Sequence, residues 1–235
     1  MYSVTRRVEV SDIARNGKMR LSALLDCLQD CAYDHLQGEE TLSDYFEQTG
    51  NVMFLVSRQI DIKRLPVYGE QLTVTTWCYE LKRMYGYRNT IIRDEGGEVC
   101  ACAYEIGAFA DPATSRPVKI SQELADAVEK HPAFDMEYTP RKISLPEGEA
   151  DISAPLKVYG SFVDMYGHVN NARYIELTED FIPVGRDISR IRIEYRQPLK
   201  KERAQANVWR EDNGLLVELK GEEGNSCCAV EYIFV

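Results

Sequence analysis

The sequence predicts an α+β fold built of two halves, each an antiparallel run of strands wrapped around one central helix, and three observations predict it. An amphipathic helical stretch followed by alternating, strand-like segments occurs twice along the chain. A stretch rich in Pro, Glu and Gly, without clear periodicity, separates the two occurrences. Neither half has enough helix to cover both faces of its own sheet, so packing the two units as an internal pseudo-dimer would hide strand edges and bury more apolar area.

The first helix is expected over residues 20–35, where Leu21, Leu24, Leu25, Leu28, Cys31 and Ala32 keep the three-four spacing of one apolar face. Strands are expected over residues 52–62, 71–81, 85–93 and 98–110, divided by Pro66, Gly69 and the turn Asp94-Glu95-Gly96-Gly97. A short helix over residues 121–130 completes a first domain, residues 1–130. Residues 131–154 read as a linker. In the second domain, residues 155–235, the order repeats: a short strand over residues 156–162, a helix over about 171–181, and strands over 190–195, 203–209, 215–220 and 227–235. Asn213-Gly214 marks a tight hairpin between two of them. Between the halves, Ser57-Arg58 resembles Ser189-Arg190, Pro66 resembles Pro198 and Trp77 resembles Trp209 at one common spacing.

Composition narrows the class. With 235 residues and 44% hydrophobic content the chain can build a proper core. No run approaches the ~18 apolar residues of a spanning helix, and the first residues lack the apolar stretch of a signal peptide, so a soluble, cytoplasmic protein is expected. Seven cysteines without secretory context read as small buried hydrophobes. His35, His131 and His168 lie too far apart in sequence to suggest a zinc cluster, and no metal or cofactor is expected. A net charge of −10 argues against nucleic acid as the main partner. Local basic clusters remain at Lys63-Arg64, Lys82-Arg83, Arg141-Lys142 and Lys200-Lys201 with Arg203; together they could receive an acidic protein.

The segment Asp164-Met165-Tyr166-Gly167-His168-Val169-Asn170-Asn171 carries the candidate chemistry. A carboxylate in a helix lead-in can activate water or attack a carbonyl, and a histidine can carry a proton near neutral pH. Gly167 lets a substrate approach the backbone. The start of the expected helix, near Gly167, His168, Val169, Asn170 and Asn171, would offer N–H groups to an oxygen gaining charge. The other reading is a plain turn, with Asn170 and Asn171 as caps. The first half has Asp12 and Asn16-Gly17 before its helix but no matching histidine, and Asp12 reads as a cap or turn acid.

With these residues in view, the chain resembles the double-hotdog acyl–acyl carrier protein thioesterases, bacterial relatives of plant plastid enzymes. The matching stretches are residues 21–30, Ile60-Asp61-Ile62-Lys63-Arg64-Leu65-Pro66, residues 69–77, Thr114-Ser115-Arg116-Pro117, residues 164–174 and Ile193-Glu194-Tyr195-Arg196. The resemblance implies a hydrolase acting on fatty acyl–acyl carrier protein, with its chemistry in the C-terminal hotdog and its acyl-chain pocket in the N-terminal one, where Leu24, Leu28, Met53, Trp77 and Tyr87 are candidate walls. It places an aspartate, an asparagine and a histidine at positions 164, 166 and 168; Asp164 and His168 match, and Tyr166 stands where asparagine is expected. A Glu-Cys pair known from the plant enzymes falls near Pro198 and Leu199, so the burden moves to Asp164. Many relatives form a homodimer. An acyl–coenzyme A thioesterase and a non-catalytic acyl-thioester sensor are the competing readings.

Overall fold

A computed structural model describes residues 1–164, 167–199 and 203–235. It divides into two units, one of residues 1–56 and 63–138, the other of residues 57–62 and 139–235.

The first unit carries strands β1 (Tyr2–Arg7), β2 (Val52–Ile62, whose last six residues belong to the second unit), β3 (Gln71–Lys82), β4 (Tyr85–Asp94), β5 (Val99–Asp111) and the short β6 (Arg116–Pro117), with helices α1 (Leu21–Gly38), α2 (Glu40–Thr49) and α3 (Gln122–Ala127). Strands β1, β3, β4 and β5 pair antiparallel in that order. Alternation gives the sheet one face toward α1: Cys31 bonds the Val74 carbonyl, and Arg88 Nη1 lies 2.7 Å from His35 Nδ1. Leu24, Leu25 and Leu28 on that helix are fully buried. The sequence missed β1 and α2, which are short and whose apolar positions are few.

The opposite sheet face is covered by the stretch read as a linker. Trp77 Nε1 donates to the Pro132 carbonyl, and the Asn89 amide oxygen accepts from the Phe134 N–H and the Tyr138 hydroxyl. Trp77 packs edge-on to Phe134, and Tyr87 packs with Tyr79, itself against Tyr138. These two candidate wall residues therefore belong to the face away from α1.

The second unit carries β7 (Ile152–Lys157), α4 (Arg173–Glu176), β8 (Ile188–Tyr195), β9 (Arg203–Glu211), β10 (Gly214–Gly221) and β11 (Ser226–Phe234). Its strand order is β8, β11, β10, β9, β7, all antiparallel, and residues 57–61 of β2 pair with β8. The β9–β10 hairpin closes with Glu211 opposite Gly214. The strand expected over residues 156–162 lies earlier, as β7, and residues 160–162 form a 3-10 turn. The first residues of the second unit are pinned to it: Thr139 bonds Gln59 Oε1, Arg192 reaches the Pro140 carbonyl, and Ile143 N–H donates to Glu194.

The helix expected over residues 171–181 is one turn long, and a 3-10 turn over residues 179–181 follows it. Thr178 breaks the run, because its hydroxyl bonds the carbonyls of Tyr174 and Ile175 and meets the buried Tyr232 hydroxyl at 2.6 Å. Side chains that bond backbone in this way compete with helix propagation. All seven cysteines are buried and unbridged, and burial pushes the Cys27 thiol up to about 11. No helix among the described residues is long and apolar enough to cross a membrane.

Candidate active site

Residues Val163 and Val169 form an isolated antiparallel bridge, with a turn between them and Gly167 at φ 75°. That sign of φ is one a side chain would strain against. Across the turn, Asp164 N–H donates to the His168 carbonyl at 2.8 Å, and His168 N–H returns to Asp164 Oδ1 at 3.2 Å. Asp164 and His168 are thus opposed on one short ladder, each half-buried. The His168 ring makes no hydrogen bond among the described residues. Tyr166, the third catalytic candidate, lies outside the described residues, as do Lys200 and Lys201.

The expected oxygen-binding donors are already engaged. Gly167 N–H bonds the Asp164 carbonyl at 3.0 Å, His168 N–H bonds the Asp164 side chain, and Val169 N–H bonds the Leu199 carbonyl at 3.1 Å. A one-turn helix starting at Arg173 also has little macrodipole to offer. In this structure these three N–H groups build the turn. Asn170 acts as a cap, its Oδ1 accepting from Ala172 N–H at 2.9 Å, and the Asn171 carbonyl accepts from the Tyr195 hydroxyl at 3.0 Å. Tyr174, pressed against Tyr195, accepts the Leu199 N–H, so Leu199 anchors the turn through both of its backbone groups.

The same frame is built in the first unit. Ile13 and Met19 form the bridge, Gly17 takes φ 79°, Ala14 N–H donates to the Lys18 carbonyl at 2.9 Å, Gly17 N–H to the Ala14 carbonyl, and Met19 N–H to the Pro66 carbonyl. Position by position, Ala14 stands where the second unit has Asp164, and Lys18 where it has His168. Asp12 is a turn acid, as its residue type suggested: its carboxylate accepts from Arg6 and from the Glu9 N–H. The first-unit turn carries no acid–histidine pair.

The second unit also carries a charged cluster. Arg196 bonds Glu194 Oε2, Ser226 and the Ile143 carbonyl, and lies 3.8 Å from the buried Glu218. In the first unit Glu70, Asp94 and Cys100 come close enough to suggest a metal group, but Arg64 bonds both carboxylates at 2.7 Å and lowers their pKa values. That arrangement is an ion-pair cluster. It also neutralises Arg64 as a member of a basic patch, and Lys82 pairs weakly with Glu80 at 3.7 Å.

The family description "Acyl-ACP thioesterase N-terminal domain" matches residues 1–128, and "Acyl-ACP thioesterase C-terminal domain" matches residues 147–234. Palmitoyl-acyl carrier protein thioesterase of Arabidopsis thaliana is 24% identical over 203 residues, covering 79% of this chain and 49% of the plant protein. Oleoyl-acyl carrier protein thioesterase 1 of the same plant is 27% identical over 188 residues, with 73% and 52% covered. The chain spans about half the length of these curated relatives. Among solved structures, an acyl-ACP thioesterase from Bacteroides thetaiotaomicron superposes with a TM-score of 0.88 at 21% identity, covering 99% of this chain and 97% of that one. The 12:0-ACP thioesterase of Umbellularia californica gives 0.86 at 16% identity, with 100% and 96% covered. At these identities the likeness establishes the double-hotdog fold.

Proposed function

Because the chain belongs to the acyl-ACP thioesterase family, we propose that it cleaves the thioester of a fatty acyl–acyl carrier protein and releases free fatty acid in fatty acid biosynthesis. One observation carries the reading: two turns share a hydrogen-bond frame, and only the second carries an acid opposed to a histidine, Asp164 and His168. In a purely structural turn, Ala14 and Lys18 serve the frame equally well.

Asp164 acts as general base on a water, or attacks the carbonyl to give a mixed anhydride that water resolves. His168, across the ladder and with its ring unengaged among the described residues, carries a proton to the leaving thiolate. Tyr166 is assigned to orient Asp164 or the water through its hydroxyl. Asn170 and Asn171 hold the site's shape, and Gly167 and Val169 keep the approach open to the acyl group. This chemistry asks for neither metal nor cofactor. Acyl carrier protein is the partner, the setting is cytoplasmic, and association as a homodimer is compatible with it.

The test is single-turnover hydrolysis by Asp164→Ala. A positioned base contributes about 10² to 10⁴ in rate, so the variant should fall by that much while melting at the same temperature. Retention of more than about a tenth of the rate would remove Asp164 from the mechanism.

A further inference from the structure

The two tryptophans of the chain occupy matching places, Trp77 on β3 opposite Asn89 of β4 and Trp209 on β9 opposite Leu216 of β10. In the first unit the indole N–H donates to the Pro132 carbonyl at 2.9 Å, and Asn89 Oδ1 holds the same stretch through the Phe134 N–H. In the second unit Trp209 Nε1 is buried and has no partner among the described residues. Leu216 stands where Asn89 fixes a backbone over the ring, and its side chain has nothing to accept with. An indole N–H can only donate, and leaving it buried without an acceptor is costly.

Trp209 lines a cleft. The segment beside it is tied down at Ile143, whose N–H and carbonyl bond Glu194 and Arg196, and at Asp151, whose carboxylate accepts from the Arg210 N–H. Between these anchors Leu145, Pro146 and Ala150 line a cleft of about 510 Å³ together with Trp209, Asn207 and Glu218. That volume suits a small ligand or a few residues of peptide. The inner acceptors are engaged: Asn207 Oδ1 takes the Ser153 hydroxyl, Ser153 Oγ takes the Gln205 amide, and the Glu218 carboxylate faces Lys220 at 3.5 Å and Arg196 at 3.8 Å. A guest therefore has to bring an acceptor for the indole and few donors of its own. With Glu218 and the exposed Glu149 in the lining, it carries no acid.

We propose that this cleft receives an extended, proline-containing peptide of another protein, whose carbonyl takes the Trp209 N–H as the Pro132 carbonyl takes that of Trp77. Proline removes one backbone donor, and extended proline segments dock on aromatic-lined grooves at low entropic cost. The chain's own proline segment is already held by Trp77, so the guest is a separate protein. The inference is independent of the thioester chemistry.

The test is titration of the full chain, into the millimolar range, with the capped peptide His131-Pro132-Ala133-Phe134, the stretch that covers the matching place in the first unit. The indole N–H resonances of the two tryptophans are followed by NMR, and Trp209→Phe assigns them. The Trp209 resonance should move downfield to saturation while that of Trp77 stays in place. By calorimetry, Trp209→Phe should bind the peptide about three- to tenfold more weakly, the worth of one neutral hydrogen bond. Should that variant melt lower, the wild-type resonances still decide. The Pro132→Ala version of the peptide should also bind more weakly, and equal binding would overturn the requirement for proline. If the Trp209 resonance does not move, solvent serves the indole and the proposal is overturned. If the Trp77 resonance moves instead, the peptide has displaced residues 131–134 from the first unit, which overturns it as well.

Discussion

At the residue scale, the candidate segment stood out in the sequence because Asp164, Gly167 and His168 are types with few interchangeable roles at that spacing. What could not be read was where each N–H goes. Val169 looked like a donor for substrate from its place in the motif, yet in the structure its N–H donates to the Leu199 carbonyl, thirty positions on. Sequence spacing carries no information on such a long-range backbone bond. Tyr166, where the resemblance leads one to expect asparagine, gives a residue-level prediction. If its hydroxyl orients Asp164 or the water, Tyr166→Phe should slow hydrolysis by roughly 1 to 3 kcal/mol in kcat/KM, the cost of leaving a buried partner unsatisfied. Unchanged steady-state kinetics would reduce the ring to space-filling.

At the element scale, periodicity found α1 because six apolar positions repeat on one face. It overextended the helix after Asn171, since Thr178 bonds back onto the helix and a pattern of apolar residues does not reveal that. Two predictions concern the sheet under α1. Gly86 and Gly107 pair directly across β4 and β5, and Met53 from β2 fills the trough above them. A Cβ on Gly107 would meet Met53 Sδ at 2.5 Å, so Gly107→Ala should destabilise by about 1 to 3 kcal/mol, as overpacking does. Adding Met53→Ala should recover part of that loss in denaturant unfolding; simple additivity would contradict the packing. The second concerns His35. Burial and the Arg88 guanidinium on its Nδ1 lower its pKa from 6.5 to about 4. The unfolded chain therefore takes up the proton first, and stability should fall as pH drops from 6.5 toward 4 and level off below, by up to about 3 kcal/mol from this group. Removing the imidazole in His35→Gln should flatten that part of the melting profile; an identical pH slope would show the ring is not the titrating group.

For the whole molecule, the duplication was legible as repeated order, and its depth was not. Residue similarity between the halves is slight, whereas the turns share their bridge, their positive-φ glycine and their backbone bonds. Backbone geometry survives changes that erase side-chain likeness, so the missing histidine of the first half was legible in the sequence, whereas the equivalence of Ala14 to Asp164 and of Lys18 to His168 emerged only in three dimensions. Charge is the other molecular property at issue. On the proposed function, a chain of net −10 would meet an acidic carrier protein with Arg64 already tied to Glu70 and Asp94. Such recognition would then draw on other cations and on apolar contact, with the long-range term screened beyond about 8 Å at physiological ionic strength. The most direct measurement of the central claim is the ratio of kcat/KM for one fatty acyl group presented on acyl carrier protein and on coenzyme A. The account predicts hydrolysis of both, with the carrier-protein ester preferred by about tenfold or more, the scale of one good charged contact. Equal or reversed preference would make coenzyme A esters the substrate, and no hydrolysis of either would contradict the enzyme altogether.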